Sequence, residues 1–438
     1  MNVSDLKTRT DESSRKLIYS TVLVAAMLPE YIAPLLTLIF FIIFKRRYSL
    51  TGQKVKLGTV GKVFLCFMCF SLLSAVWSLT PVYSAAISLL WMGMLLGSFM
   101  LSNLTVDKKQ LQTLICAFSL GGGMVGGVGT VQYILLLLKV NIPNPIWSVF
   151  DKLIYSVMPF EITETAYVWE HTRASSTFDN PLICATYLII VLPIAVYGFI
   201  SGEKRNRKIC GISALLIIGG LLGTTSRGAA IAALVSLVVL VFMNSKKALS
   251  VLAALAASAG GFILVIIKRN DVFEFDLEKS TDSRLKMWAA CAELIKKKPL
   301  LGYGAGSQST ALGMADFGID KPHAHSLYIE MTTELGFVGM AFLLVVFGFI
   351  IYDIIKLIKC GKYYKRLGIA FLAVCAGFAV SSFTEFTMQT PKELQYFMFF
   401  LGILEAAKRI ALAERAETAQ KPETEPEHNT ESKTEVTV

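Results

Sequence analysis

The segment KPHAHSLYIEMTTELGFVGM, residues 321–340, holds two of the chain's four histidines, His323 and His325, just ahead of a long apolar run. A neutral imidazole at the edge of apolar sequence accepts a proton from a hydroxyl near pH 7, which is the chemistry of a general base. His-x-His spacing also suits a metal, but the nearest carboxylates, Asp316 and Asp320, read as ordinary loop residues, and no metal site is expected. A pair of polar residues ending a membrane helix is the plainer alternative.

Three arginines stand in comparable places. Arg227, in LLGTTSRGAAIAALV, lies at the hinge between two apolar runs with no acidic neighbour in sequence. A charge near a membrane bundle costs free energy and asks for a reason, of which snorkelling to the interface is the simplest. Arg173, in HTRASSTFDNPLICATYL, is followed by the hydroxyls of Ser175, Ser176 and Thr177 and by an Asn180-Pro181 turn into a helix. Arg284 lies in DSRLKMWAACAELIKKKPLLGYGAGS, where Asp282 or Ser283 is expected to cap a helix running to about Lys298, with Leu285, Trp288, Ala292 and Ile295 on one face and Pro299 behind its end. Such a helix would lie on the membrane surface with Arg284 in its first turn. The GYGAG that follows has no strand before it, so a dinucleotide loop is not expected. Arginine grips phosphate in a fork and keeps its charge at any physiological pH. Three arginines and a histidine on one face would bind a lipid diphosphate and stabilise it as a leaving group, without metal or cofactor.

The elements that must position these groups are membrane helices. The chain has 438 residues, 54% hydrophobic and 17% charged, and its apolar residues come in blocks rather than amphipathic stripes. That patterning excludes a soluble domain and predicts an all-α, polytopic bundle of about 12 transmembrane helices. The blocks fall at 17–28, 32–44, 60–79, 82–102, 112–138, 182–200, 209–223, 228–243, 249–267, 326–352, 367–385 and 394–410. The first two are short, with a bend expected at Pro29, Glu30 and Pro34, so the count could be eleven. The charged start lacks a small-residue cleavage site and is not read as a secretory signal.

With the N-terminus cytoplasmic, that side collects about two-thirds of the 42 Lys and Arg, as the positive-inside rule requires. Residues 1–16 are then a cytoplasmic N-terminus, 17–410 the membrane domain, and 411–438 a disordered cytoplasmic tail that includes His428. Two longer loops, 139–181 and 268–325, face outward and carry the candidate site. Most of the eight cysteines lie in or beside apolar runs, and Cys66 and Cys69, despite zinc-like spacing, read as helix packing. The small residues of GGGMVGGVG, 121–129, read as a close helix contact.

Four stretches, RASSTFDNP, TTSRGA, DSRLKMWAACAELIKKKPLLGYGAGS and HAHSLYIEMTTELGFVGM, together resemble the hallmark segments of the O-antigen ligase and polymerase superfamily of bacterial membrane glycosyltransferases. The resemblance spans roughly residues 60–410 and implies a GT-C-like bundle in the cytoplasmic (inner) membrane, its site facing the periplasm or cell exterior. It implies a glycan donor linked to undecaprenyl diphosphate, transferred with inversion and without metal to a hydroxyl of a glycolipid or glycan acceptor in the ligase or polymerase manner. By the same resemblance the essential histidine falls on His325 and the donor-binding arginines on Arg173, Arg227 and Arg284, with His323 as a possible accessory. A transporter or flippase of lipid-linked glycans and a structural scaffold of a polysaccharide assembly stand against it. Transporters commonly show repeated halves, and none is visible here.

Overall fold

The computed structural model describes residues 3–29, 32–51, 55–140, 173–178, 180–242, 277–388 and 390–420. All regular structure among them is helical: α1 (Val3–Met27), α2 (Ile32–Thr51), α3 (Thr59–Leu73, extended by a 3-10 turn to Val76), α4 (Pro81–Leu104), α5 (Lys108–Leu137), α6 (Pro181–Ser201), α7 (Lys204–Gly223), α8 (Arg227–Val241), α9 (Leu277–Lys297), α10 (Ser307–Ala315), α11 (Leu327–Ile358), α12 (Lys362–Ser381) and α13 (Pro391–Gln420). Helix starts follow capping chemistry. The Asp107 side chain accepts from the Gln110 N–H at 2.7 Å, Asn180 from Leu182 at 2.8 Å, and Ser226 from Ala229 at 3.3 Å. Pro81 and Pro181 open α4 and α6, where no donor is needed.

Among the described residues seven helices are long and apolar enough to cross a membrane: Thr59–Val76, α4, α5, α6, α7, α11 and α12. The chain is a polytopic membrane helix bundle. The expected block 17–28 overlaps α1 to its end at Met27, 32–44 falls inside α2, and 228–243 overlaps the shorter α8. Block 249–267, most of the loop 139–181 and residues 421–438 with His428 lie outside the described residues. α13 is absent from the seven because it carries Lys392, Glu393, Glu405, Lys408 and Arg409. A helix enclosed by protein need not be uniformly apolar. At the end remote from His325, Lys408 pairs with Asp353 at 2.5 Å, and Arg409 donates to the Ser102 and Thr105 carbonyls, fastening α13 to α11 and α4.

α6 runs through the middle of the bundle, and the closest helix contact is between α5 and α7. The glycine run explains that contact: a Cβ on Gly123 or Gly126 would meet the α7 backbone at Ser213 and at Leu216 and Ile217. Large apolar side chains such as Ile42, Leu215, Leu234 and Leu344 are exposed at the periphery, the surface a bilayer covers.

Three expectations need correction. α9 starts at Leu277, not at Asp282, because Glu278 and Lys279 are good helix formers, so Arg284 stands about two turns in. Its buried face is Met287, Ala290, Cys291 and Leu294, while Leu285 and Ala292 are exposed. The helix has two apolar stripes, and the one that packs is chosen by Tyr303, Met314 and Ala324 across from it. Finally, α13 continues to Gln420, so residues 411–420 are helical rather than part of a disordered tail.

Candidate active site

Each candidate residue is held by a different junction of the bundle. Arg173 leads the short segment into α6, and that segment is fixed from four directions. The Ala174 N–H donates to Gly223 at 2.8 Å, Gln132 Oε1 accepts from the Ser175 and Ser176 N–H groups, and Ser176 Oγ donates to Val125. Lys392, fully buried at the start of α13, donates to the Thr177 carbonyl at 3.1 Å and to its hydroxyl. With the backbone so constrained, Arg173 Nε donates to the Thr224 carbonyl at 2.8 Å, which places its guanidinium beside the α7–α8 hinge.

Arg227 is the first residue of α8, just past that hinge, where Thr225 takes a φ of 49°. The next residue, Gly228, lies against the Thr384 side chain, so the start of α8 sits on the segment after α12. That segment carries Glu385, and Glu385 organises the centre. Its Oε1 accepts from Arg284 at 3.2 Å, and its Oε2 lies 3.5 Å from His325 Nδ1, the outer limit of a hydrogen bond. Its backbone carbonyl, with that of Ser382, also takes the Leu327 N–H that begins α11. Glu385 is 6% exposed at its side chain, against 22% for His325 and 27% for Arg284, so the carboxylate is the inner member and the histidine and arginine face outward.

Burial holds the Arg173 guanidinium below its ordinary pKa, with Glu385 pulling it back up and Arg284 and Arg227 pushing it down. The three arginines and Glu385 therefore share one field. The fold supplies Arg284 with an acidic partner 101 residues away. Glu385 is the member of this cluster that sequence reasoning did not single out. It stands at the end of the expected block 367–385, and the argument applied to Arg227, a charge at the edge of apolar sequence, would have found it.

The two histidines differ. Burial, then His325, then Arg284 push His323 down to about 3, so it is neutral and its Nδ1 accepts the His325 N–H at 3.3 Å. That bond ties the His323 ring to the His325 backbone. His325 has a φ of 51°, a strained conformation for a residue with a Cβ, and such strain persists where surroundings over-determine it. His325 Nδ1 is the ring nitrogen that faces Glu385, and the tautomer sets which of the two donates. Asp316 and Asp320 do not join these residues, and among the described residues no group of three or more His, Cys, Asp or Glu is placed to hold a metal ion. The arrangement can bind an anion between guanidinium groups and take up one proton beside it.

No curated protein matches this chain. A chain in a solved structure, reported as "Structural coordination of polymerization and crosslinking by a peptidoglycan synthase complex", is similar over 80% of this chain and 97% of its own length, with 16% identity and a TM-score of 0.44. The family model described as O-antigen ligase matches residues 212–344, from within α7 into α11, a stretch that includes Arg227, Arg284, His323 and His325. The match bears out the resemblance to the O-antigen ligase superfamily, on the segment that carries two of the three arginines and both histidines.

Proposed function

We propose that this chain is a membrane glycosyltransferase that moves a glycan from undecaprenyl diphosphate to an acceptor hydroxyl at the outer face of the cytoplasmic membrane, in the manner of an O-antigen ligase. The observation that carries the reading is Glu385, bonded to Arg284 on one oxygen and facing His325 with the other, beside Arg173 and Arg227. His325 Nε2 removes the proton of the acceptor hydroxyl. The acceptor oxygen forms a bond to the anomeric carbon as the bond from that carbon to the diphosphate oxygen breaks, and the departing electron pair is stabilised by the arginines. Attack opposite the leaving group inverts the anomeric carbon. Glu385 fixes the tautomer of His325 and balances the imidazolium as it forms, the part a carboxylate plays beside a catalytic histidine. The protein does this without a metal, in a GT-C-like bundle of about twelve spans. A capsular or other surface-polysaccharide polymerase uses the same centre with a glycan as acceptor.

In proteoliposomes supplied with a glycosylated undecaprenyl diphosphate, Arg284→Lys is expected to lower kcat by about tenfold or more, because lysine keeps the charge and loses the fork. Inverted product and full activity in EDTA are the accompanying results. Activity that EDTA abolishes, or retention at the anomeric carbon, would contradict the mechanism.

A further inference from the structure

His325 is held by its own side chain and also through the peptide unit on either side of Ala324, and that unit is gripped from two helices. The Ala324 N–H donates to Glu330 Oε2 of α11 at 2.6 Å, and the Ala324 carbonyl accepts from Trp288 Nε1 of α9 at 2.9 Å. Ala324 and Glu330 are fully buried. The other carboxyl oxygen, Glu330 Oε1, lies near the Thr310 and Glu334 side chains without a well-formed hydrogen bond among the described residues. A carboxyl sealed away from water at this cost is a poor choice for packing alone, since an apolar residue of the same size would fill the space more cheaply. It reaches back six residues to hold the N–H of the one residue that separates the two histidines.

Trp288 lies one turn along α9 from Arg284, the residue bonded to Glu385. The joint at Ala324 thus ties the arginine helix to the histidine turn.

We propose that Glu330 and Trp288 are positioning residues for transfer: they clamp the Ala324 peptide and hold His325 in its left-handed backbone conformation, in register with Arg284. The inference rests on the reading of His325 as the base. A base displaced by a fraction of an ångström loses rate while the donor still binds, so the clamp should act on kcat and leave the donor KM alone.

The test compares purified Glu330→Met, Glu330→Gln and Trp288→Phe, reconstituted beside His325→Ala, for kcat and donor KM. Glu330→Met should lower kcat about tenfold with donor KM within about twofold, because the Ala324 N–H is left unpaired. Glu330→Gln should keep kcat within about threefold of wild type, since its amide oxygen accepts the same N–H. Trp288→Phe keeps an aromatic ring and loses the donor, and should lower kcat severalfold. The double variant Glu330→Met/Trp288→Phe should fall short of the product of the single effects, as expected of residues holding the two peptide groups of one residue. Wild-type kcat in both Glu330→Met and Trp288→Phe, with His325→Ala inactive, overturns the clamp and spares the base; an active His325→Ala overturns the base itself. Failure of Glu330→Gln to restore kcat also overturns the clamp. If Glu330→Met does not reach the membrane, Trp288→Phe decides: lowered kcat at unchanged melting temperature supports the clamp, and wild-type kcat removes it.

Discussion

At the scale of single residues, Glu385 carries the chemistry that the sequence leaves implicit. Replacing it with Gln preserves size and hydrogen bonding to Arg284 but removes the charge that fixes the His325 tautomer. The expected result is a fall in kcat of about a hundredfold or more with a small change in donor KM, measured in the same reconstituted assay. A fall in donor affinity with kcat unchanged would instead make Glu385 part of the donor pocket. The residue types of the candidate site were legible from sequence: a histidine and three arginines at the edges of apolar blocks, where ionisable groups are costly. Their partners were not, because Arg284 and His325 meet Glu385 only after α11 and α12 have packed. The difference between His323 and His325 was hidden for the same reason, since only the fold sets His325 against Glu385 and the His323 ring against the His325 N–H.

At the scale of elements, the decisive feature is the break in α11 at Gly336, where φ is 67°. The carbonyls of Thr333 and Glu334, freed by the break, accept from the N–H groups of Tyr303 and Gly304 at 3.1 and 2.8 Å, and the Phe337 N–H turns to Pro299 at 2.8 Å. The Gly-Tyr-Gly-Ala-Gly turn is therefore a fitting that docks the end of α9 onto α11. Gly302, at φ 62°, lies against the Glu334 carbonyl, whereas Gly318, at φ 72°, faces open space. Gly302→Ala should lower stability by more than about 2 kcal/mol, combining backbone strain with a collision, and Gly318→Ala by about 1 kcal/mol from strain alone. Melting temperatures of the purified variants check the ranking, and equal losses would mean the turn is not a close fit. Sequence located a helix start well where turn chemistry and hydropathy agreed, as at Asn180. It misplaced the start and buried face of α9, because both stripes of that helix are apolar and only the packing partner selects between them.

At the scale of the whole molecule, hydropathy was enough to read an all-helical membrane bundle, including the block 394–410 inside α13, although that helix is less uniformly apolar than the seven spans. That helix is enclosed by α4, α2, α6 and α11 and carries charges whose partners lie inside the protein, so its composition resembles neither a lipid-facing span nor a soluble helix. On the proposed mechanism the bundle holds His325 as a base beside a bound diphosphate. The direct test is His325→Ala in cells, with the protein confirmed in the membrane and glycans sized both on the lipid carrier and at the surface. Transfer should fail and donor should accumulate on the carrier, as long chains if the step is ligation and as single units if it is polymerisation. Carrier and surface profiles identical to wild type would show that His325 is not the base.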